Sequence, residues 1–172
     1  MKITLYMAIS IAWFIATKDW GSNWISEHDI VIFDKITADS DCVIVWNNTY
    51  HQYKWEIYPI SQTCNIVVST KNQENVENVV FAKNPKEAFD IAKKQWCKDV
   101  LLVWGGHING SFLEENLIDE IVIDIQPIIL GEWIKIFEKL TKKIDLDFLE
   151  HKEIKWWLNI LKYKINKWNK TS

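Results

Sequence analysis

Two adjacent glycines, Gly105 and Gly106, stand between a short apolar run and a segment with helical spacing. Residues 100–103 are all valine or leucine, which predicts a strand buried on both faces of a sheet. Residues 107–116 carry apolar side chains at helical intervals. Such a turn can bind an anion, because glycine lets the backbone approach a ligand and the helix start offers free N–H groups. The pattern predicts either a phosphate-binding turn or an ordinary strand-to-helix turn.

A second crossing of this kind lies earlier in the chain. Residues 42–46 form another apolar run, and Asn47, Asn48 and Thr49 can cap a short helix that continues through Tyr53. Two such crossings side by side predict a ligand over the carboxyl ends of neighbouring parallel strands.

Ser26 and Asp29 have the spacing of a helix start. Ser26 is a good N-cap residue, and Asp29 occupies the third helical position, as in a capping box. Asp29 can therefore be read as a first-turn acid favoured by the helix dipole or as a functional carboxylate. The helix is expected to end near Asp39. We expect its inward side chains to be Ile30, Phe33 and Ile36.

Charge and cysteine content exclude several classes of function. The net charge of −3 gives no electrostatic case for binding nucleic acid. All 20 basic residues are lysine, so phosphate contacts must come from lysine, backbone N–H groups or hydroxyls. Cys42, Cys64 and Cys97 form no metal-binding pattern, so no metal is expected. Reduced, buried thiols in a cytoplasmic protein are the preferred interpretation.

The first apolar segment, residues 2–16, could be a signal peptide or a strand. Apolar residues alternate with Lys, Thr, Tyr and Ser, and there is no convincing small-residue cleavage site, so we favour the strand. No other apolar run reaches membrane-spanning length, and we expect no membrane partner.

The remaining pattern predicts an α/β fold with a mixed sheet, in one domain over residues 1–165 followed by a polar tail, 166–172. Pro127 implies that the strand around it is an edge strand or is bulged. The further expected elements are strands at 65–70, 79–82 and 120–130, a helix from Pro85, a short helix or turn at 135–139, and a final hairpin of 148–154 and 158–165.

Several of these segments together resemble one known family. The carrying pieces are MKITLYMAIS, SNWIS, DCVIVWNNTY, VLLVWGGHINGSFLEENLIDEI and PIILGEWIKIF. The chain resembles the dihydrofolate reductase superfamily, and within it the reductase family of bacterial riboflavin biosynthesis, the RibD C-terminal domain. The resemblance implies a three-layer α/β/α fold with a mostly parallel mixed sheet and a C-terminal antiparallel hairpin. It also implies a small-molecule substrate, the cofactor NADPH, with NADH as the alternative, and a homodimer.

The resemblance implies a role for individual residues. Ala8 and Trp24 would line the nicotinamide end of the cleft, and Thr49 would meet the cofactor phosphates. The pyrophosphate would be cradled by Gly105, Gly106, His107, Ile108 and Asn109. Ser69 and Thr70 would flank the adenosine side. Asp29 has the spacing of the acid that orients the pterin in dihydrofolate reductases. His107 is interpreted as a turn residue rather than as a catalytic base.

Tryptophan stands where the family usually has glycine. Trp46 and Asn47 replace Gly-Arg of the cofactor motif, Trp104 replaces the first of three glycines, and Trp133 replaces a glycine after the last parallel strand. The indoles at 46 and 104 would fill cofactor space, and Asn47 lacks the charge to engage a 2′-phosphate. The departures put NADPH preference and activity in doubt.

The amino-acid composition shows the same replacement of glycine by tryptophan. The chain has 11 tryptophans and 5 glycines, whereas average usage would give roughly a dozen glycines. Some bacteria read the codon UGA as glycine, and translation of UGA as tryptophan would produce this exchange. The hypothesis applies to Trp13, Trp46, Trp96, Trp104 and Trp133, and Trp20, Trp55, Trp156 and Trp157 are similarly suspect. Trp24, which fits the family, should be encoded by UGG.

The resemblance therefore implies an NAD(P)H-dependent reductase like 5-amino-6-(5-phosphoribosylamino)uracil reductase, which transfers a hydride to a heterocyclic or ribosylaminopyrimidine substrate. Dihydrofolate reductase itself is the second enzymatic interpretation. A non-catalytic remnant, its cofactor groove blocked by tryptophan, is the third.

Overall fold

The computed structural model describes residues 1–131, 133–155 and 158–167. The strands are β1 Lys2–Ser10, β2 Phe14–Ala16, β3 Cys42–Trp46, β4 Cys64–Val68, β5 Val79–Ala82, β6 Asp99–Val103, β7 Glu120–Gln126, β8 Ile134–Lys135, β9 Leu146–Lys155 and β10 Leu158–Ile165. The helices are α1 Glu27–Ala38, α2 Asn47–Gln52, α3 Pro85–Lys94 and α4 Gly106–Glu114.

Eight strands form one sheet in the order β5-β4-β3-β6-β1-β7-β10-β9. The first six are parallel, with Ile3 of β1 opposite Val100 of β6, and β10 runs antiparallel to both β7 and β9. β2 and β8 pair separately. The predicted mostly parallel mixed sheet with a C-terminal hairpin is confirmed.

Helices cover both faces of this sheet. Phe33 of α1 and Tyr50 of α2 pack with Tyr6 on one face, whereas Ala88 of α3 and Phe112 of α4 pack on the other. Burial on both faces explains why the central strands are continuous apolar runs. The three-layer α/β/α arrangement is confirmed.

The first predicted strand is interrupted. β1 ends at Ser10, the N–H of Trp13 donates to the carbonyl of Ser10, and β2 starts at Phe14. The predicted strand is confirmed for Lys2–Ser10, and its polar Tyr6 and Ser10 are buried as well, because β1 is central in the sheet.

Two other expectations were wrong near the end of the chain. β7 stops at Gln126, directly before Pro127, and lies between β1 and β10, so the proline ends an internal strand rather than marking an edge. Lys135, the first residue of the predicted short helix or turn, instead ends β8, because β8 pairs with β2.

The final hairpin is confirmed, and β10 ends at Ile165. Residues 168–172 of the predicted tail lie outside the described residues. Within the described ranges, every helix is too short or too polar to cross a bilayer.

Candidate functional site

The two predicted crossings meet at the carboxyl ends of β3 and β6, which are neighbours in the sheet. α2 begins directly after Trp46, and α4 begins after Gly105. The Thr49 hydroxyl donates to the carbonyl oxygen of Trp104 at 3.2 Å and joins the two turns. The structure thus brings together residues 46–49 and 104–109.

The glycines at the start of α4 serve close packing. A β-carbon on Gly106 would lie 2.1 Å from the carbonyl oxygen of Lys135, and one on Gly110 would lie 2.0 Å from that of Glu138. Gly105 has φ +149°, a conformation that side chains rarely adopt. Glycine is therefore required at Gly106 because another segment of the protein backbone, at Lys135, packs directly against it.

The residues expected on the adenosine side gather around Gln73, which the sequence did not single out. The Gln73 amide donates to the Asn47 side-chain oxygen at 2.6 Å and to the Ser69 hydroxyl at 3.3 Å. Thr70 is exposed beside them.

A cavity of about 620 Å³ opens between α1 and the segment 53–61. This volume is typical of small-molecule sites. Asp29 lines the cavity although it is 1% exposed. Its position follows from the N-cap: the Ser26 hydroxyl accepts from the Asp29 N–H at 3.4 Å, and Asp29, Phe33 and Thr37 then face inward.

The inward placement of Ile30 was wrong. Ile30 is 54% exposed and stands at the rim of the cavity. The physical reason is that Asp29 takes the inward position at the start of α1, held there by buried polar partners.

Asp29 belongs to a buried polar cluster with Tyr6, Asp124 and Gln126. The Tyr6 hydroxyl donates to Asp29 Oδ1. The Gln126 amide donates to Asp124 Oδ2 at 2.8 Å. The carboxyls of Asp124 and Asp29 are close enough for each to affect the pKa of the other. Burial raises the pKa of Asp29. Burial, reinforced by Asp29, raises the pKa of Asp124 to about 8.

Asp124 was missed because its strand reads as an apolar segment. One signal was available: Glu120, Asp124 and Gln126 are the polar members of one alternate face of EIVIDIQ. In the sheet, Asp124 pairs with Ala8 and Val122 pairs with Tyr6, so both face the α1 layer.

Trp104 lines both the large cavity and a much smaller one, as do Ser22, Ile25 and Tyr53. The smaller cavity measures about 30 Å³ and is also bounded by Met7, Thr49 and Gly105. The indole stacks on Phe33, with ring centroids 4.7 Å apart. Its buried Nε1 has no hydrogen-bond partner among the described residues, which is unusual for tryptophan.

The other predicted side chains have structural partners. Trp46 packs edge-on against the His107 ring, with centroids 5.7 Å apart. Ile108 is buried in the core, and the Asn109 amide donates to the carbonyl of Ile136 at 3.0 Å. Trp24 is half-buried and lies outside the linings of both cavities.

Comparisons with known proteins agree with this architecture. The family model described as the RibD C-terminal domain matches residues 1–156. YwjB of Bacillus subtilis strain 168, described as an uncharacterized protein, is 27% identical over 152 residues, which cover 84% of this chain and 87% of YwjB. YyaP of the same strain, described likewise, is 22% identical and matches 79% of this chain and 74% of YyaP.

Two solved structures share the fold. A putative riboflavin biosynthesis protein from Shewanella sp. PV-4 has a TM-score of 0.79 at 21% identity, with 96% of this chain and 99% of that one covered. A Thermotoga maritima diaminohydroxyphosphoribosylaminopyrimidine deaminase/5-amino-6-(5-phosphoribosylamino)uracil reductase has a TM-score of 0.74 at 13% identity. Its match covers 95% of this chain and 56% of that protein. With the family match spanning nearly the whole described sheet, the chain belongs to the RibD C-terminal domain family and has its dihydrofolate reductase-like fold.

Proposed function

We propose that the chain is an NAD(P)H-dependent reductase of a heterocyclic or ribosylaminopyrimidine substrate, of the riboflavin-biosynthesis type. The observation that carries the proposal is the buried carboxylate of Asp29 in the wall of a cavity of about 620 Å³. This cavity adjoins the turn at Trp104 and Gly105, where two parallel strands end. Ligands of open α/β sheets bind at such strand ends.

The cavity suits a flat heterocycle with N–H groups. Ile30, Phe33 and Ile57 supply apolar walls, and Asp29 supplies a hydrogen-bond acceptor. A carboxylate in an apolar pocket orients an N–H-bearing ring strongly, because charge-assisted hydrogen bonds are stronger in low dielectric. The protein would contribute positioning and electrostatics, and the nicotinamide would supply hydride when bound.

The residues present do not fit a nicotinamide at the expected place. The space beside Met7, Thr49 and Gly105 is about 30 Å³, enough for water only, because the Trp104 indole closes it. We therefore derive no step through the cofactor in the chain with tryptophan at position 104.

The same observation favours the second candidate, a non-catalytic remnant whose groove is filled. Dihydrofolate reductase remains the alternative substrate assignment, since Asp29 would orient a pterin in the same way. A homodimer and a cytoplasmic location also stay predictions.

Titration with NADPH separates these candidates. We expect Trp104→Gly to bind NADPH saturably and at least about tenfold more tightly than the chain with Trp104, a gain of roughly 1.4 kcal/mol. Trp104→Phe is the matched control, because it keeps a ring on Phe33. No saturable binding by Trp104→Gly would favour the remnant.

Oxidation of NADPH then distinguishes the substrates. We expect turnover by Trp104→Gly with 5-amino-6-(5-phosphoribosylamino)uracil and none with dihydrofolate. The reverse result would establish the dihydrofolate reductase alternative.

A further inference from the structure

Five of the eight tryptophans in the described residues have left-handed backbone. Their φ angles run from 45° to 73°. They are Trp13, Trp20, Trp55, Trp96 and Trp104. Only about a few per cent of non-glycine residues have positive φ, and asparagine, aspartate and histidine are enriched among them.

Exposure of the indoles limits how far their burial can offset this strain. The indoles of Trp13, Trp20, Trp55 and Trp96 are exposed, the last two by 81% and 89%. A left-handed L-residue costs roughly 1–2 kcal/mol. Trp55 and Trp96 thus bear the strain of a left-handed β-carbon with little burial of the indole, and Trp13 and Trp20 bear it with partial burial.

The end of α3 shows what the backbone requires. The N–H of Trp96 donates to the carbonyl of Lys93, and the N–H of Cys97 donates to that of Ala92, each at 3.1 Å. These two bonds define a Schellman motif, in which the left-handed residue is usually glycine. Trp96 occupies that residue.

α4 ends in the same motif with an ordinary residue. Asn116, at φ 60°, donates to Leu113 at 2.9 Å, and Leu117 donates to Phe112 at 3.0 Å. Asparagine is the usual substitute for glycine in this position. The two helix ends have the same backbone hydrogen bonds, so only the tryptophan side chain at position 96 is unusual.

We infer that positions 13, 20, 55, 96 and 104 are glycine in the natural protein, each encoded by UGA that is read as glycine. Left-handed backbone supports glycine at 13, 96 and 104, and it singles out 20 and 55 among the other suspect tryptophans. It does not require glycine at 46, where φ is −74°, nor at 24 and 133, which are absent from the left-handed positions.

Glycine at position 104 has a consequence for the cleft. Removal of the indole that lines both cavities would join them into one continuous space from Thr49 to Asp29. The backbone carbonyl at 104 would still accept from Thr49. The indole would then no longer fill the space beside Met7, Thr49 and Gly105.

Peptide mass sequencing of the protein from its native cells, with the codons of its gene, tests the inference independently of any activity. We expect UGA codons and glycine masses at the five positions, with UGG and a tryptophan mass at Trp24 as the internal control. Tryptophan masses at the five positions, or UGG codons there, overturn the inference.

A different observation concerns the buried acids. Asp124 is 0% exposed, and its Oδ1 accepts from no N–H or O–H donor in the described part of the chain. Its Oδ2 accepts from Gln126, whose own oxygen accepts from the Ser26 N–H at 3.3 Å. Two adjacent buried carboxyls cannot both ionise cheaply. A proton placed between the carboxyls of Asp124 and Asp29 gives the unpartnered Asp124 Oδ1 a hydrogen bond.

We propose that Asp124 is a positioning residue that shares one proton with Asp29 at neutral pH, so that the cavity wall presents a single negative charge. The groups around the pair are consistent with this: Tyr6 from β1 donates to Asp29, Gln126 donates to Asp124, and the strand neighbours Ala8 and Ile160 are apolar. The raised pKa of Asp124, about 8, agrees in direction. Asp29 then remains the acceptor for a ligand N–H.

Nuclear magnetic resonance of ¹³C-carboxyl-labelled aspartate tests the shared proton without turnover. We expect one carboxyl to titrate with a midpoint near pH 8, and Asp124→Asn to remove that titration while keeping the fold. Asparagine retains an oxygen for Gln126 and places an N–H donor toward Asp29. Asp90→Asn, on the exposed side of α3, should leave the titration unchanged.

The absence of such a titration, or its persistence in Asp124→Asn, overturns the shared proton. The role of the pair in a reaction rests on the proposed function, and the two can fail separately. If the expected titration is seen but no NADPH is oxidised, the proposed reductase function is refuted and the proton-sharing pair is retained.

Discussion

The Cα atom of Gly110 lies against the backbone of Glu138, so that a β-carbon there would stand 2.0 Å from the Glu138 carbonyl oxygen. The Glu138 N–H also donates to the carbonyl of Gly106 at 3.0 Å. These contacts dock α4 against the segment that follows β8. We expect Gly110→Ala to lower the free energy of unfolding by about 2–3 kcal/mol, because backbone on both sides must shift. Urea denaturation measures the change.

Gly131→Ala is the matched control for that substitution. Among the described residues, no atom beyond the chain neighbours of Gly131 lies within 4 Å of the point that its β-carbon would occupy. We therefore expect a change within about 0.5 kcal/mol. Equal stability of Gly110→Ala and Gly131→Ala would show that α4 is not docked as described.

Trp96→Gly should stabilise the protein as translated with tryptophan. Relief of left-handed strain is worth roughly 1–2 kcal/mol, and the greater freedom of glycine in the unfolded chain returns about 0.5–1 kcal/mol. We therefore expect a net gain of about 1 kcal/mol in thermal or urea unfolding. Trp96→Asn should gain a similar amount, whereas Trp96→Ala, which keeps the β-carbon, should gain little. A loss of stability in Trp96→Gly would mean that the exposed indole contributes packing.

Apolar runs and turn chemistry predicted most of the sheet. Buried β3 and β6 and the N-capped α1 followed directly from local pattern, because their signals lie within a few residues. Ile30 was misplaced because helical periodicity was read from apolar residues alone. The inward residue is Asp29, and what holds it there is Tyr6, 23 residues away in sequence.

The candidate site was predictable only in part for the same reason. The turns at Thr49 and Gly105 can be predicted from the residues next to them. Asp124 reaches the site only because β7 pairs with β1 in the folded sheet. Left-handed backbone at Trp20 and Trp55 is likewise a property of the folded turns. Composition suggested the exchange of glycine for tryptophan, and backbone geometry identifies where it is needed.

Stability should fall as pH rises through the range in which Asp124 titrates. Because burial raises its pKa in the folded state from 3.8 to about 8, the folded protein holds a proton that the unfolded chain releases between about pH 4 and pH 8. The unfolded state binds fewer protons there, so the free energy of unfolding decreases with pH. We expect Asp124→Asn to flatten this decrease in urea titrations across that range.

Asp90→Asn serves as the control for the pH dependence, since it removes an exposed carboxylate from α3. It should keep the slope of the unmodified protein. Parallel slopes for Asp124→Asn and the unmodified protein would contradict a raised pKa at Asp124.

Cys64 should be the most reactive of the three free thiols near neutral pH. Cys42 and Cys64 are partners on the parallel strands β3 and β4, and the neighbouring Cys42 thiol lowers the pKa of half-buried Cys64 to about 7. The Cys64 thiol and burial raise the pKa of Cys42, and burial raises the pKa of Cys97. Because the thiolate is the nucleophile, we expect iodoacetamide to label Cys64 first, with its rate rising through about pH 7.

Cys42→Ala tests the cause of that reactivity. Loss of the Cys42 thiol should move the Cys64 labelling profile to higher pH, whereas Cys97→Ala, which removes a weaker contribution, should move it less. Peptide mapping of labelled protein over a pH series gives both profiles. An unchanged Cys64 profile in Cys42→Ala would mean that the Cys42 thiol does not affect the pKa of Cys64, and that Cys64 reacts through exposure alone.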